Sequence, residues 1–330
     1  MSNLSPEDKR ERQLSQISLE NSRVFLEPPT VFLCGGDTDV THPAPVSVRG
    51  ALVSHLHKVG CILADSITLA ESFKDWIHDA VYQDLLVFES DIAHISSLIV
   101  IILESPGALA ELGLFVRNNV LHKKMLVFIK EEHFVQDSFI KLGPLRYLDA
   151  VRPGSVYSYP WEVDSTTGRP ILEGALKATL LHMRDDIIAV IKSQDKTEQF
   201  DIKNEGHISF LIYELINNFR ALKLTEIESY LKLFDIALRR EKLKRLIFLL
   251  EKFNFVGIAR NGHLDYYYPL RDIKKIDFSG RFDSAATKVL SMKFYVTNPG
   301  ESRRLHVIKT KIIIPEADSS AASVDLEAKK

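Results

Sequence analysis

Six consecutive aliphatic residues, Leu98 to Leu103, run straight into Glu104-Ser105-Pro106-Gly107. A run this short and this branched fits a strand buried on both faces, the setting of a central strand in a parallel sheet. Pro-Gly stops it in a tight turn, and ALAELGLFVRNN then takes up helical spacing. Such a strand needs helices above and below it, and the front half of the chain supplies them. Thr30-Val31-Phe32-Leu33 is a second short run, stopped by Gly35-Gly36. VSVRGALVSHLHK (46–58) puts Val48, Leu52 and Leu56 on one helical face. CILAD (61–65) reads as a strand, 71–95 as a helix carrying Trp76 and Leu85, and KMLVFIK (124–130) as another buried strand. Alternating strand and helix predicts a doubly wound α/β domain with a parallel sheet. Ligands of such sheets sit beyond the carboxyl ends of the strands. The two glycine turns are therefore expected on one shared rim.

The chain changes character further on. RPGSVYSYPWEVDSTTGRP (152–170) reads as loop, and LEGALKATLLHMRDDIIAVIKS (172–193) as a strong amphipathic helix. DKTEQFDIKNEG (195–206) reads as a polar linker. HISFLIYELINNFRA, LTEIESYLKLF and IALRREKLKRLIFLLEKFNF then read as three helices, with Thr225 and Glu228 matching a capping box. VGIARNGHLDYYYPL follows as two strands about Asn261-Gly262, a strong hairpin signal. Helix, helix, helix, hairpin is the order of a winged helix-turn-helix, whose third helix enters the DNA major groove. The expected organisation is a charged, helical or loose leader (1–25), an α/β domain (26–194), a linker (195–206), a winged-helix domain (207–315) and a disordered tail (316–330).

Composition narrows the classes. With 330 residues, 45% hydrophobic and 26% charged, the chain fits a globular protein of two domains and not a disordered or fibrous one. Two cysteines, Cys34 and Cys61, cannot build a disulfide scaffold or a cysteine-rich zinc site, and His55 and His57 do not share a helical face. No metal is expected. The N-terminus lacks an apolar signal core, and no apolar stretch is long enough to span a bilayer, so the expectation is a cytoplasmic protein without membrane contact. Charge is uneven. Residues 200–330 carry 23 Lys and Arg against 17 Asp and Glu, whereas the front is acidic. A polyanion would meet the back half. Arg239, Arg240, Lys242, Lys244 and Arg245 put five cations in seven residues of the third helix. With Tyr266, Tyr267 and Tyr268 on the hairpin, they are candidates for nucleic-acid contact. A solvated helix face and core-packed aromatics would leave the same pattern.

The candidate chemistry gathers at the strand ends. Gly107 lets backbone approach a ligand, and the following helix starts with free N–H groups. Glu111 lies one turn on, where a carboxylate can attack an anomeric carbon and stabilise an oxocarbenium-like transition state. Glu89 and Asp91 precede the same strand and can serve as a general acid or orient a base. Gly35, Gly36 and Asp37 form a short glycine turn that matches neither a dinucleotide fingerprint nor a Walker A loop. Arg49 follows on the next helix and can bind phosphate bidentately.

Gly107, Glu111, Leu112 and Gly113 form the G-x-x-x-E-L-G motif of the nucleoside 2-deoxyribosyltransferase superfamily, which the front domain resembles. The resemblance implies a Rossmann-like sheet. It makes Glu111 the nucleophile that forms a glycosyl-enzyme intermediate, and it places the carboxylate that engages the nucleobase near Glu89. The family's aspartate before the motif glycine falls here on Ser105, with Glu104 beside it, a departure that bears on nucleobase exchange. Three blocks, FLCGGD (32–37), ESPGALAELG (104–113) and SFIKLGPLRYL (138–148), resemble in order those of retron effector proteins that join such a domain to a winged-helix DNA-binding domain. The likeness covers roughly 30–150; the back half agrees by architecture only.

That resemblance implies an anti-phage toxin held in check by a retron reverse transcriptase and its msDNA, a branched RNA–DNA hybrid. It implies cleavage of the N-glycosidic bond of a nucleotide, NAD first, with no cofactor beyond that substrate, in an oligomer or filament-type assembly. Gly35, Gly36 and Arg49 would line the ribose–phosphate side of the substrate, with Ser105 and Gly107 at the strand end and Asp37 also in contact with it. Ser138, Gly143, Pro144 and Arg146 would complete the pocket or an interface. Two other readings stand open: a nucleotide-sensing, nucleic-acid-binding regulator without turnover, and a phosphoribohydrolase acting on nucleoside monophosphates.

Overall fold

A computed structural model describes residues 10–313 apart from 40, 41, 43, 62, 70–81, 83, 84, 119 and 120. The chain divides into two compact units. The first, residues 25–198 with 203–207, is built on five parallel strands: β1 (Val31–Cys34), β2 (Ile67–Leu69), β3 (Leu98–Leu103), β4 (Met125–Lys130) and β5 (Val156–Tyr159). Their order across the sheet is β2-β1-β3-β4-β5. The longer helices are α1 (Val48–Lys58), α2 (Leu85–Ile95), α3 (Pro106–Phe115) and α4 (Ala175–Ser193). Every residue of β3 is buried, as its unbroken aliphatic run requires. Val31, Leu33, Val100 and Phe128 pack with Leu52 of α1 and Met183 of α4 in one core. The alternate residue Phe32 meets Phe115 of α3 edge-on at 6.3 Å. Residues of one strand thus reach helices on opposite faces, which is the doubly wound arrangement compatible with a Rossmann-like sheet.

Three elements differ from the sequence reading. The strand expected at 61–65 forms at Ile67–Leu69, because Cys61 N–H still closes α1 on the Leu56 carbonyl and 64–66 make a 3₁₀ turn. Residues 156–159, read as loop, add β5 at the sheet edge, paired parallel to β4 from Val127↔Val156 to Lys130↔Tyr159. Part of the helix expected at 71–95, including Trp76, lies outside the described residues; Leu85–Ile95 is helical.

Among the described residues the second unit comprises 10–24, 199–202 and 208–313. Its helices are α5 (Glu205–Phe219, of which residues from 208 on belong to this unit), α6 (Leu224–Lys232) and α7 (Arg240–Lys252). The antiparallel hairpin β6 (Val256–Asn261) and β7 (Leu264–Pro269) follows, then β8 (Ile276–Gly280), α8 (Ser284–Thr297) and α9 (Ser302–Ile308). Asn261 pairs with Leu264, and Gly262 takes φ +67°, a value that the tight connection demands and glycine supplies freely. α5 is buried from Gly206 to Phe219 on all sides, not on one face alone. Residues read as loose or helical leader form a strand, Ile17–Phe25, whose residues 17–24 pair antiparallel with β8. The polar stretch 195–206 holds a short strand, Thr197–Gln199, and the start of α5. The cap of α6 lies two residues before the expected one, at Lys223, and Glu226 accepts the Lys223 N–H at 2.8 Å. Among the described residues no helix is long and apolar enough to cross a membrane.

Candidate functional site at the ends of strands β1 and β3

Strand order 2-1-3-4-5 reverses direction between β1 and β3, and the crevice of a doubly wound sheet opens at that reversal. β1 and β3 are hydrogen-bonded neighbours, in register from Val31↔Leu98 to Cys34↔Ile101. The two glycine-containing ends therefore share one rim, as their sequence predicts. Ser105 caps α3, accepting the Ala108 N–H at 3.1 Å, and its hydroxyl donates to the Gly35 carbonyl at 3.1 Å. Ser47 caps α1 in the same way and donates to the Asp37 carbonyl at 2.7 Å. The two helix starts and the two strand ends are thus tied together by serine hydroxyls.

Glu104, the first residue past β3, is the organising group. Its carboxylate accepts the N–H groups of Gly36 (3.0 Å), Val48 (2.6 Å) and Arg49 (2.8 Å). Burial raises its pKa, while those three N–H groups act against that rise. The glycines are needed for space. A Cβ on Gly35 would lie 2.9 Å from the Arg49 Cβ, and one on Gly36 would lie 2.7 Å from the Ser47 Cβ and 3.0 Å from Glu104 Cδ. Two cavities open here, of about 480 and 400 Å³. The larger is lined by Gly36, Asp37, Ser47, Glu104, Ser105, Lys130, His133 and a loop bearing Trp161, Val163 and Pro170. The smaller runs along Pro106, Leu109, Ile129 and Ser138, and shares Glu104, Ser105 and His133.

Gly36, Asp37 and Ser105 thus line the larger cavity, and the Gly35 carbonyl accepts the Ser105 hydroxyl beside it. Gly107 is exposed in the first turn of α3. Arg49 is only 1% exposed and one guanidinium nitrogen donates to the Leu33 carbonyl at 3.3 Å, so it reaches the rim through its backbone. Glu111 is half-buried on α3 and is not among the described lining residues of either cavity. Glu89 lies on α2, with its side chain outside the described residues. Asp91 is buried and accepts the Tyr82 hydroxyl at 2.9 Å. Sequence reading missed the part played by Glu104, and also Lys130, His133 and Trp161. The only signal for Glu104 was an acid directly after a wholly apolar strand. Ser138 lines the smaller cavity; Gly143 and Pro144 lie in a π-helical turn and Arg146 begins a short helix.

In the second unit Arg239, Arg240 and Lys244 are exposed at the start of α7, and Lys242 and Arg245 are half-buried. Arg240 lies 3.5 Å from Glu228. Tyr266 and Tyr267 are buried in the unit rather than displayed on the hairpin, and Tyr268 is half-buried. Tyr266 packs near Arg304, whose guanidinium lies 5.5 Å from its ring. Among the described residues no group of His, Cys, Asp and Glu is placed to hold a metal ion.

A family model described as STM3845 retron effector protein matches residues 45–258. Two curated Escherichia coli proteins are similar to the chain. One, of retron Ec86, is 32% identical over 127 residues, covering 38% of this chain and 39% of its own. The other, of retron Ec73, is 28% identical over 120 residues, covering 35% and 36%. Each is named as a candidate ribosyltransferase/DNA-binding protein. The matches span less than two fifths of those relatives' length.

Proposed function

Because the chain belongs to the STM3845 retron effector family, we propose that it is an anti-phage effector that cleaves the N-glycosidic bond of a nucleotide, NAD foremost. The observation that carries this reading is the cavity at the β1/β3 reversal, floored by two strand ends that serine and glutamate side chains hold together. The relatives' ribosyltransferase names support glycosyl transfer as the chemistry. In the proposed mechanism the Glu111 carboxylate attacks the anomeric carbon as the C–N bond breaks, and the base leaves with the bonding pair. Glu89 orients or protonates that base, and water then hydrolyses the glycosyl-enzyme. Gly35, Gly36, Asp37, Ser105 and Gly107 form the sugar side, and the Arg49 backbone steadies it.

The back half is proposed to be a winged-helix module. Its α7 cations, Arg239, Arg240, Lys242, Lys244 and Arg245, would meet msDNA or its reverse transcriptase, which together hold the toxin in check within an oligomer or filament. The deciding experiment is base release from a nucleotide panel by the protein and its Glu111→Gln variant, with and without co-expressed reverse transcriptase and msDNA. Release that depends on Glu111 is expected; release unchanged in the variant sinks the assignment of the nucleophile. The relatives' DNA-binding names favour one second reading, a nucleotide-sensing, nucleic-acid-binding regulator without turnover. Tight binding with intact nucleotide after long incubation would select it.

A further inference from the structure

The first turn of α1 begins on the rim of the larger cavity. The N–H groups of Val48, Arg49 and Gly50 have no carbonyl partner within the helix. In a doubly wound sheet such a turn, following the first strand, is where a substrate phosphate is received. Here every one of the three is already engaged. Val48 donates to Glu104 Oε2 at 2.6 Å, Arg49 to Glu104 Oε1 at 2.8 Å, and Gly50 to Ser47 Oγ at 2.9 Å. Gly36 adds its own N–H to Glu104 Oε1 at 3.0 Å. Three backbone donors converging on two oxygens of one anion are what a phosphate would find if Glu104 were absent. The missing side chain at Gly36 makes the room, because a Cβ there would stand 3.0 Å from Glu104 Cδ. The same carboxylate borders both cavities, and Asp37 adds a second acid to the larger one.

We propose that Glu104 is a specificity-determining residue. It fills the phosphate position of the first helix with the chain's own carboxylate, so that the cavity receives the sugar–base part of a nucleotide and turns its phosphate away. This rests on the reading that the cavity takes a nucleotide. An incoming group meets acceptor oxygens here, which suits a sugar hydroxyl and repels an anion.

The test reads inorganic phosphate and not turnover, so its failure is distinct from failure of the N-glycosidase reading. The full-length protein and Glu104→Ala are melted in rising sodium phosphate, with ionic strength held constant by sodium chloride and folding checked by circular dichroism. Phosphate is expected to raise the Tm of Glu104→Ala by several degrees and to leave the parent at its chloride value. Equal shifts in both proteins, or none in the folded variant, overturn the proposal. Should Glu104→Ala fail to fold, Glu104→Ser decides it. Its short side chain vacates the same position, so a phosphate-dependent rise must appear there too, and its absence counts against Glu104 equally.

Discussion

Glu214 lies in the middle of α5, buried, with its carboxylate accepting the N–H groups of Lys275 and, at 3.2 Å, Ile276. Asn218 donates to its other oxygen at 3.2 Å. Burial dominates and pushes its pKa up to about 7, against the two backbone donors and the Lys288 and Lys274 cations. An acid whose pKa is raised in the folded state binds its proton more tightly folded than unfolded. Stability therefore falls as pH rises from its ordinary 4.5 to about 7 and levels off above that. At about 1.4 kcal/mol per unit, the loss is on the order of 3 kcal/mol. Thermal melts between pH 4.5 and 8 should show this decline, with a flatter profile in Glu214→Gln; parallel profiles would discount Glu214 as its source. Arg304 presents the opposite case. It is fully buried, grips Glu226 through two nitrogens at 2.8 and 2.6 Å, and bonds Glu301 at 2.7 Å. Burial works against ionisation of Glu226, but Arg304 and Arg10 hold its pKa below the usual range. Arg304→Met strips Glu226 of its main partner and is expected to cost about 3–5 kcal/mol in urea unfolding.

The strand-end turns and the motif helix give glycines of two kinds. Gly36 has no room for a methyl group, whereas Gly113 has nothing within 4 Å of where its Cβ would stand. Gly36→Ala is expected to destabilise by about 1–3 kcal/mol and to weaken nucleotide binding, since Ser47 and Glu104 must give way. Gly113→Ala, inside α3, should stabilise by about 0.4–1 kcal/mol. Denaturant midpoints of the two variants should move in opposite directions. A Gly113→Ala protein that is stable but inactive would mean that substrate or a second subunit approaches α3 there. These elements also mark how far the sequence could be read. β1, β3, β4, α1, α3 and α4 were legible because their apolar period is local and strong. β5 was not, because VYSY at a sheet edge is only partly buried and sits among turn residues. The strand at residues 17–25 escaped because its partner, β8, lies some 250 residues away and its own sequence is mostly polar. Glu104 escaped for a related reason. Its three partners come from β1's turn and from α1, and no local spacing announces a contact made across a sheet.

At the scale of the whole chain the uneven charge can be put to use. Residues 200–330 carry a surplus of cations, and the densest group opens α7. Leu243, Leu246, Ile247 and Leu250 bury one face of that helix, which leaves Arg239, Arg240 and Lys244 outward. The buried tyrosines of β7 remove aromatic stacking as the main source of affinity, so the contact expected of this surface is with phosphates. Phosphate contacts release counterions, and each contributes about −0.9 to the slope of log K against log salt on duplex DNA. Replacing Arg239, Arg240 and Lys244 by Ala removes up to three such contacts. The slope should then flatten by about 2–3 and affinity at low salt should fall by the same amount for every sequence tested. Fluorescence anisotropy with labelled duplexes and an RNA–DNA hybrid, titrated across sodium chloride concentrations, measures both. A fall confined to one sequence would mean that α7 reads base edges. An unchanged slope with unchanged affinity would remove nucleic acid from this surface and leave a protein, the reverse transcriptase foremost, as its partner.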